Sequence, residues 1–459
     1  MKRIFIIFLH FLVIQQVYGQ YSTGLVFDDD KYENAPKKAT LTRGLYVEAV
    51  PSSNSMKQYC PTPMDQGQYG TCVGWSSNWA ARTIVEAMKN GWTSTNVINQ
   101  NAYSPGFIYQ MIKDKNDKNC SYGASIFDAL NYMKFNGSIK YSSLEEQCVP
   151  TVPQNLKDQA MRNKIKDFAR LFDQQQGGDY KIQTVKKSIA ENNPVVFGMK
   201  CAPSFYDAID VWEPTENHET KYGGHAMCVV GYDDNKGGGA FEIMNSWGTD
   251  WGNEGFIWIK YQDFANFTKY AYEIITDPAP KPPTVADLSG KLKFVTDKGE
   301  EMKAELLGQS YKMQKSYSSG TSFRIYISNN EPAYVYALGS DKTAAIFQLF
   351  PYAPGVSAAL NYSQNQVAYP SEDHYITMDN TVGTDYICVL YSKHELNIEE
   401  IKRELEGYSG SMLSRTKKVI GQNLVKPENI QYSSSEMAFK GYSKGKTVLA
   451  LVVAIDHIQ

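Results

Sequence analysis

The 459-residue sequence has no surplus of either charge, with 46 Lys and Arg against 49 Asp and Glu. That balance gives no reason to expect nucleic acid or an anionic membrane surface as a partner. After the first residues there is no run apolar enough to cross a bilayer, so no stable membrane insertion is expected. No Cys/His cluster has zinc spacing and no glycine loop has phosphate-cradling form; neither a metal nor a nucleotide cofactor is assigned. No internal repeat is visible. Histidine is scarce, at six residues, which narrows the search for a general base.

What is present begins with MKRIFIIFLHFLVIQQVYG. Lys2 and Arg3 precede an apolar core over 4–14, and Val17 and Gly19 satisfy the small-residue rule for a cut before Gln20. The layout predicts a secretory signal over residues 1–19, its core too short to span a membrane. The mature chain is then expected outside the cytoplasm, in a periplasm, on a cell surface or secreted. An odd number of cysteines there, seven, implies at least one free thiol. Cys228 in AMCVVGY and Cys388 in DYICVLY sit in apolar runs and read as buried thiols. Cys60, Cys120, Cys148 and Cys201 lie in loop-like sequence and are expected to form two disulfides, with all three pairings open.

Residues 20–55 are polar and weakly patterned, which predicts an extended arm. From Cys72 to about Lys89, Trp75, Trp79, Ile84 and Met88 recur at helical spacing, and Asn90-Gly91 ends the pattern. Further helices fit SIFDALNYMKF and TVKKSIAEN, and strands fit PVVFGMK, HAMCVVGYDD, AFEIMNSWG and GFIWIKY. TDPAPKPPT, with four prolines, then reads as a stiff linker. Beyond it the pattern is of strands, SFRIYIS, AYVYAL, AIFQLF, DYICVLY and VLALVVAI, with one helix at NIEEIKREL.

In DQGQYGTCVGWS, Cys72 stands where a glycine-rich loop becomes a helix. A helix N-terminus and a nearby imidazolium both favour thiolate. His225 supplies the imidazole, at the start of a strand in KYGGHAMCVVGYDD. Asn245 opens NSWGTDWGNEGF on the next strand, within reach of His225 across the turn DDNKGGG. Gln66, six positions before Cys72, offers a side-chain amide as oxyanion donor.

Over roughly residues 50–275 these segments resemble the papain family of cysteine peptidases: Gln66-Gly67, Cys72, Gly224-His225-Ala226 and Asn245-Ser246-Trp247-Gly248 in order. The resemblance implies an α+β fold with a helical lobe followed by an antiparallel β lobe over 56–276. It implies Cys72 as nucleophile, His225 as base and then acid, Asn245 as its orienter and Gln66 with the Cys72 N–H as oxyanion hole. Trp247 would shield the His225–Asn245 bond. Gly123, in CSYGASIFDAL, matches the glycine segment that pairs with substrate backbone, and Gly224 and Trp247 are placed with it on the substrate side. The expected partner is a protein or peptide substrate. The sequence departs from the family at Tyr69, where a bridged cysteine is usual, and at Val73, where an aromatic is usual; the arm at 20–55 is also shorter than the family's inhibitory pro-segment. A catalytically silent binding module and a thiol amidase acting on cell-wall peptides are the alternatives. After a linker at 277–290, residues 291–459 resemble a bacterial accessory domain of unknown function, ending one hairpin in Leu349-Phe350-Pro351. This predicts a smaller, mainly-β, sandwich-like region that binds a surface or protein partner, does not catalyse, and is held away from the cleft by the linker.

Overall fold

The structure is a computed structural model. It describes residues 21–44, 50–278 and 281–459, so the signal expected at 1–19 lies outside the described residues.

The helix predicted at Cys72 runs as Cys72–Gly74, Trp75–Arg82 and Thr83–Asn90, with its middle section π-wound. Gly91, at φ 67°, ends it in the left-handed conformation. Residues 71–84 are all buried, so the first three turns of this helix form the axis of the lobe, and only its last turns, with Lys89 and Asn90 exposed, reach water. Gly74 allows the close packing: a Cβ there would sit 2.3 Å from the Pro105 carbonyl oxygen of helix Pro105–Ile112. Helix Ile126–Asn136 completes the lobe and stops at Gly137, as its sequence predicts.

The second lobe is an eight-stranded sheet. Its strands lie in the order Asp167–Arg170, Thr268–Ile275, Val195–Lys200, Gly224–Asp233, Ala240–Met244, Phe256–Lys260, Val211–Trp212, and Ser53–Ser55 pairs with the end of Gly224–Asp233. The four predicted strands form its centre, and every pairing but that of Val211–Trp212 is antiparallel. Cys228 pairs with Met244, which brings the start of one strand and the end of the next to the same edge.

Beyond the prolines, two sheets face each other over a core that includes Leu292, Phe294, Ile325, Val335, Val389 and Leu451. Helices Ile398–Glu406 and Met412–Ile420 cover the outer face of one sheet through Leu405 and Met412. The second of these helices is absent from the sequence reading.

The linker does not hold this region at a distance. Tyr334 donates to Asp167 (3.2 Å), Lys134 reaches both Asp167 (2.8 Å) and Glu395 (3.3 Å), and Ile275 packs with Tyr334 and Tyr336. The arm adds a stronger tie. Its residue Lys38 meets Glu273 of the first sheet at 2.8 Å, and Ser188 and Tyr362 both donate to the same carboxylate. Glu273 and Tyr362 belong to different regions, and Lys38 Nζ lies 3.5 Å from the Tyr362 ring centre.

The cysteines correct the expected pattern of two bridges. Cys120–Cys148 is the single disulfide among the described residues, and Cys60 and Cys201 are buried free thiols with Cys72, Cys228 and Cys388. Cys60 donates to the Met56 carbonyl at 3.7 Å, and Cys201 takes a hydrogen bond from the Tyr206 hydroxyl; both are enclosed by core.

Two outcomes are expected. Peptide mapping without reduction will recover Cys120–Cys148 alone, and a bridge involving Cys60 or Cys201 would contradict the fold. Lys38→Met leaves the Glu273 charge buried with neutral donors only, so denaturant unfolding should show a loss of about 3 kcal/mol; an unchanged midpoint would mean the pair is not formed.

Candidate active site

His225 sits at the edge end of its strand, one residue past Gly224, and is fully buried. Its Nε2 lies 2.8 Å from Asn245 Oδ1. The same Oδ1 accepts the Ser246 backbone N–H at 2.8 Å, which fixes it as the oxygen of the amide. Nε2 must therefore carry the hydrogen, and Nδ1, with no protein partner, is left as the basic nitrogen. The Asn245 N–H donates to the Gly255 carbonyl at 3.0 Å, pinning the orienting residue in turn. The Trp247 indole stacks on the imidazole, ring centres 4.7 Å apart and planes 18° apart, which closes the His225–Asn245 bond to water. Tyr206 stacks on Trp247 at 5.2 Å.

Cys72 is buried at the first turn of the central helix. Gln66 is buried in the loop that precedes it. Its Oε1 accepts the Ser246 hydroxyl at 2.6 Å and its Nε2 donates to the Tyr69 carbonyl at 2.8 Å, while the Gln66 backbone N–H donates to the Ser246 carbonyl at 2.8 Å. One N–H of the side-chain amide remains for another acceptor. Ser246 thus holds both Gln66 and Asn245; the sequence reading passed over it as part of the tryptophan motif.

The larger omission is the arm. Residues 21–27 run through the site as an added strand. The Gly24 and Leu25 N–H groups approach the Gly224 carbonyl (3.3 and 3.0 Å), the Val26 N–H donates to the Ala124 carbonyl (2.9 Å), and the Ala124 N–H donates to the Gly24 carbonyl (2.9 Å). Trp247 Nε1 donates to the Ser22 carbonyl at 2.8 Å, and Tyr21 stacks on the same indole at 4.9 Å. The Leu25 side chain fills a pocket where a Cβ on Gly198 would meet its Cδ2 at 2.4 Å and Ile126 forms a wall. Gly123 lies against the arm, since a Cβ there would stand 2.1 Å from the Gly24 carbonyl oxygen, but its N–H goes to the Tyr109 hydroxyl at 3.0 Å. Ala124, one residue on, makes the backbone pairing that the sequence reading gave to Gly123. The signal for the arm was Gly24-Leu25-Val26-Phe27, a glycine followed by three apolar residues in an otherwise polar stretch.

Burial shifts both reactive groups. It pushes the Cys72 thiol up to about 12, against the pull of the Ala226 and Val73 N–H groups, and holds His225 down to about 4, against the Asn245 hydrogen bond. Between those values the pair is neutral thiol and neutral imidazole.

In the C-terminal region Ser319 Oγ lies 3.0 Å from His457 Nε2, and His457 Nδ1 lies 3.0 Å from Asp385 Oδ2. The N–H groups of Ser319, Gly320 and Thr321 are all spent on carbonyls, of Ile458, Met378 and Ser318. Those three N–H groups are therefore not free to hold an oxyanion, and the trio fastens the last strand to its neighbours.

Residues 52–275 match the Papain family cysteine protease, and residues 316–395 match a Domain of unknown function (DUF4384). The segment carrying the site belongs to the papain family. An uncharacterized peptidase C1-like protein of Acanthamoeba polyphaga mimivirus is 26% identical over 218 residues, covering 44% of this chain and 65% of that one. Cysteine proteinase 3 of Entamoeba histolytica is 27% identical over 215 residues, covering 46% and 63%. Cathepsin K of Gallus gallus is 26% identical over 204 residues, covering 44% and 55%. The chain thus spans less than two thirds of the length of these relatives. Among solved structures, xylellain, a cysteine protease from Xylella fastidiosa, aligns with a TM-score of 0.43 at 24% identity, covering 56% of this chain and 96% of that one.

The charge state yields a pH test. Cys72 becomes thiolate only as pH rises toward its elevated value, so iodoacetamide should alkylate it slowly across the neutral range in the intact chain. Gly24→Leu drives a side chain into the Gly70 carbonyl, which lies 2.3 Å from a Cβ at that position, and displaces the strand. That variant should show fast alkylation with a plateau at neutral pH; a plateau in the unaltered chain would refute the neutral pair.

Proposed function

We propose that residues 52–275 form a cysteine endopeptidase and that the chain with its arm in place is the latent enzyme. The observation that carries this reading is the single fixed arrangement of Cys72, His225, Asn245 and Gln66, with the tautomer of His225 dictated by Asn245. Once the arm leaves, water re-enters and the pair can ionise to thiolate and imidazolium. The Cys72 sulfur then bonds to the carbonyl carbon of the scissile peptide. The displaced electron pair resides on the oxygen, held by the Gln66 amide and the Cys72 backbone N–H, which has no intrahelical partner at this position. His225 gives its proton to the departing amine, leaving a thioester. His225 then takes a proton from water, hydroxide adds to the thioester carbon, and the acid leaves as the thiolate re-forms. Asn245 keeps the imidazole in register and Trp247 keeps water from that bond.

The substrate is an extended polypeptide, because the cleft already binds one: the Gly224 carbonyl and the backbone of Ala124 pair with residues 24–26. Secretion is part of the proposal. It rests on the charged and apolar pattern at 1–19 and is supported by the Cys120–Cys148 bridge, which an oxidising compartment maintains.

In the arm-free enzyme, Cys72→Ala should abolish hydrolysis of a fluorogenic peptide with the fold intact by circular dichroism. Gln66→Ala should lower kcat about 10²-fold or more, as for loss of one oxyanion donor. Asn245→Ala should retain measurable turnover. Residual activity above about a tenth in Cys72→Ala would sink the proposal.

A further inference from the structure

The arm does not end at the cleft. After residues 21–27 it forms a helical turn, Asp29–Asn34, whose Tyr32 is buried, stacks on Tyr270 at 4.5 Å and donates to the Phe172 carbonyl at 2.7 Å. It then crosses to the other region. The Lys37 N–H donates to the Gly355 carbonyl and its carbonyl accepts from the Ser357 N–H, both at 2.7 Å, and the Lys38 N–H donates to the Arg170 carbonyl at 2.9 Å. The chain at this point is a strand shared by both regions. Ala39 and Leu41 are buried in the core of the C-terminal sandwich, together with Leu360, Tyr362 and Val367. The Thr42 N–H donates to the Gln366 carbonyl at 2.9 Å, and Arg43 ends the stretch with its N–H on Glu372 at 2.6 Å and its guanidinium on Asp373.

We propose that the C-terminal region is the holder of the arm: it binds residues 37–43 as an extended peptide with alternate small and aliphatic side chains, and so sets how tightly residues 21–27 close the cleft. The inference rests on the reading of the cleft as a protease site in its latent form. A function is thereby assigned to a region that otherwise has none. The physical basis is two-point attachment. A segment held at one site is presented to the second at a local concentration fixed by the few residues between them. Release of 21–27 alone leaves the arm poised to rebind; release of 37–43 lengthens the tether to the stretch of chain running back to Ser53–Ser55, which lowers the local concentration, and it also strips Lys38 from Glu273, whose charge is buried. Whatever displaces 37–43 from the C-terminal region would therefore open an active site that it never touches.

The test uses the full chain and a peptidyl epoxide that labels Cys72, without prior processing. Leu41→Asp places a charge in the sandwich core and should speed labelling at least about tenfold. Leu25→Asp, which empties the cleft pocket, serves as the positive arm and should also speed it. Arg43→Glu sets a like charge against Glu372 and Asp373 at an exposed position, cannot disturb a core, and should speed labelling about two- to fivefold. Restoring the pairing with Glu372→Arg and Asp373→Arg in the Arg43→Glu chain should return it to the original slow rate. Hydrogen exchange over Val448–Ile458 verifies that the sandwich stays folded. Fast labelling of Leu25→Asp with no change in Leu41→Asp or Arg43→Glu would overturn the proposal while leaving the protease reading intact. No labelling in any variant, nor in a chain lacking residues 21–43, would instead remove the protease reading on which it stands.

Discussion

Glu273 has no access to water, and its carboxylate is met by groups from three stretches of the chain: Lys38 of the arm, Ser188 of the helix that backs the first sheet, and Tyr362 of the C-terminal sandwich. A charge so enclosed is tolerable only while it is paired and hydrogen-bonded. The arrangement therefore holds the two regions and the arm in one geometry. Burial pulls Lys38 below the ordinary lysine range and Glu273 pulls it back, so the pair is a compromise between desolvation and attraction. Separating any one of the three stretches leaves the others with an unmet donor or acceptor.

The cleft follows the same logic in reverse. There the cost of burial falls on the reactive groups themselves. The arm lies on Gly224, Ala124 and Trp247, and burial favours the neutral forms of Cys72 and His225; on the proposed reading this is what silences the thiol. The rest of the site is tied by contacts the arm does not make: Ser246 donates its N–H to Asn245 and its hydroxyl to Gln66. On the proposed reading, machinery built of strand ends and the buried first turns of the central helix is kept assembled while its charge is withheld.

The places of the proposed site residues were legible from sequence because each stands in a marked local context: Cys72 at a loop-to-helix change, His225 at a strand start, Asn245 just past the end of the neighbouring strand across a glycine turn. The predicted central strands and the Gly91 and Gly137 helix ends hold for the same reason, being settled by periodicity and by residues with special backbone freedom. What was not legible is non-local. Cys60 and Cys201 look like loop cysteines by their neighbours in sequence but are enclosed by segments far away in it. The path of the arm depends on Gly24 meeting Gly70, and on Leu41 reaching a core built from residues between Leu288 and Ile455. The Pro-rich linker reads as a spacer, yet the partners that cancel its reach, Asp167 with Tyr334 and Glu273 with Tyr362, carry no mark of each other.

On the proposed reading, the blocking segment and the cleft it closes belong to one chain. Inhibition by a separate protein weakens as the mixture is diluted. A strand covalently joined to what it covers is not subject to dilution, so the silent state is as secure in a single isolated molecule as in a concentrated store. On that reading, spontaneous release of the strand is a first-order event in each molecule and does not depend on how much of the protein is present.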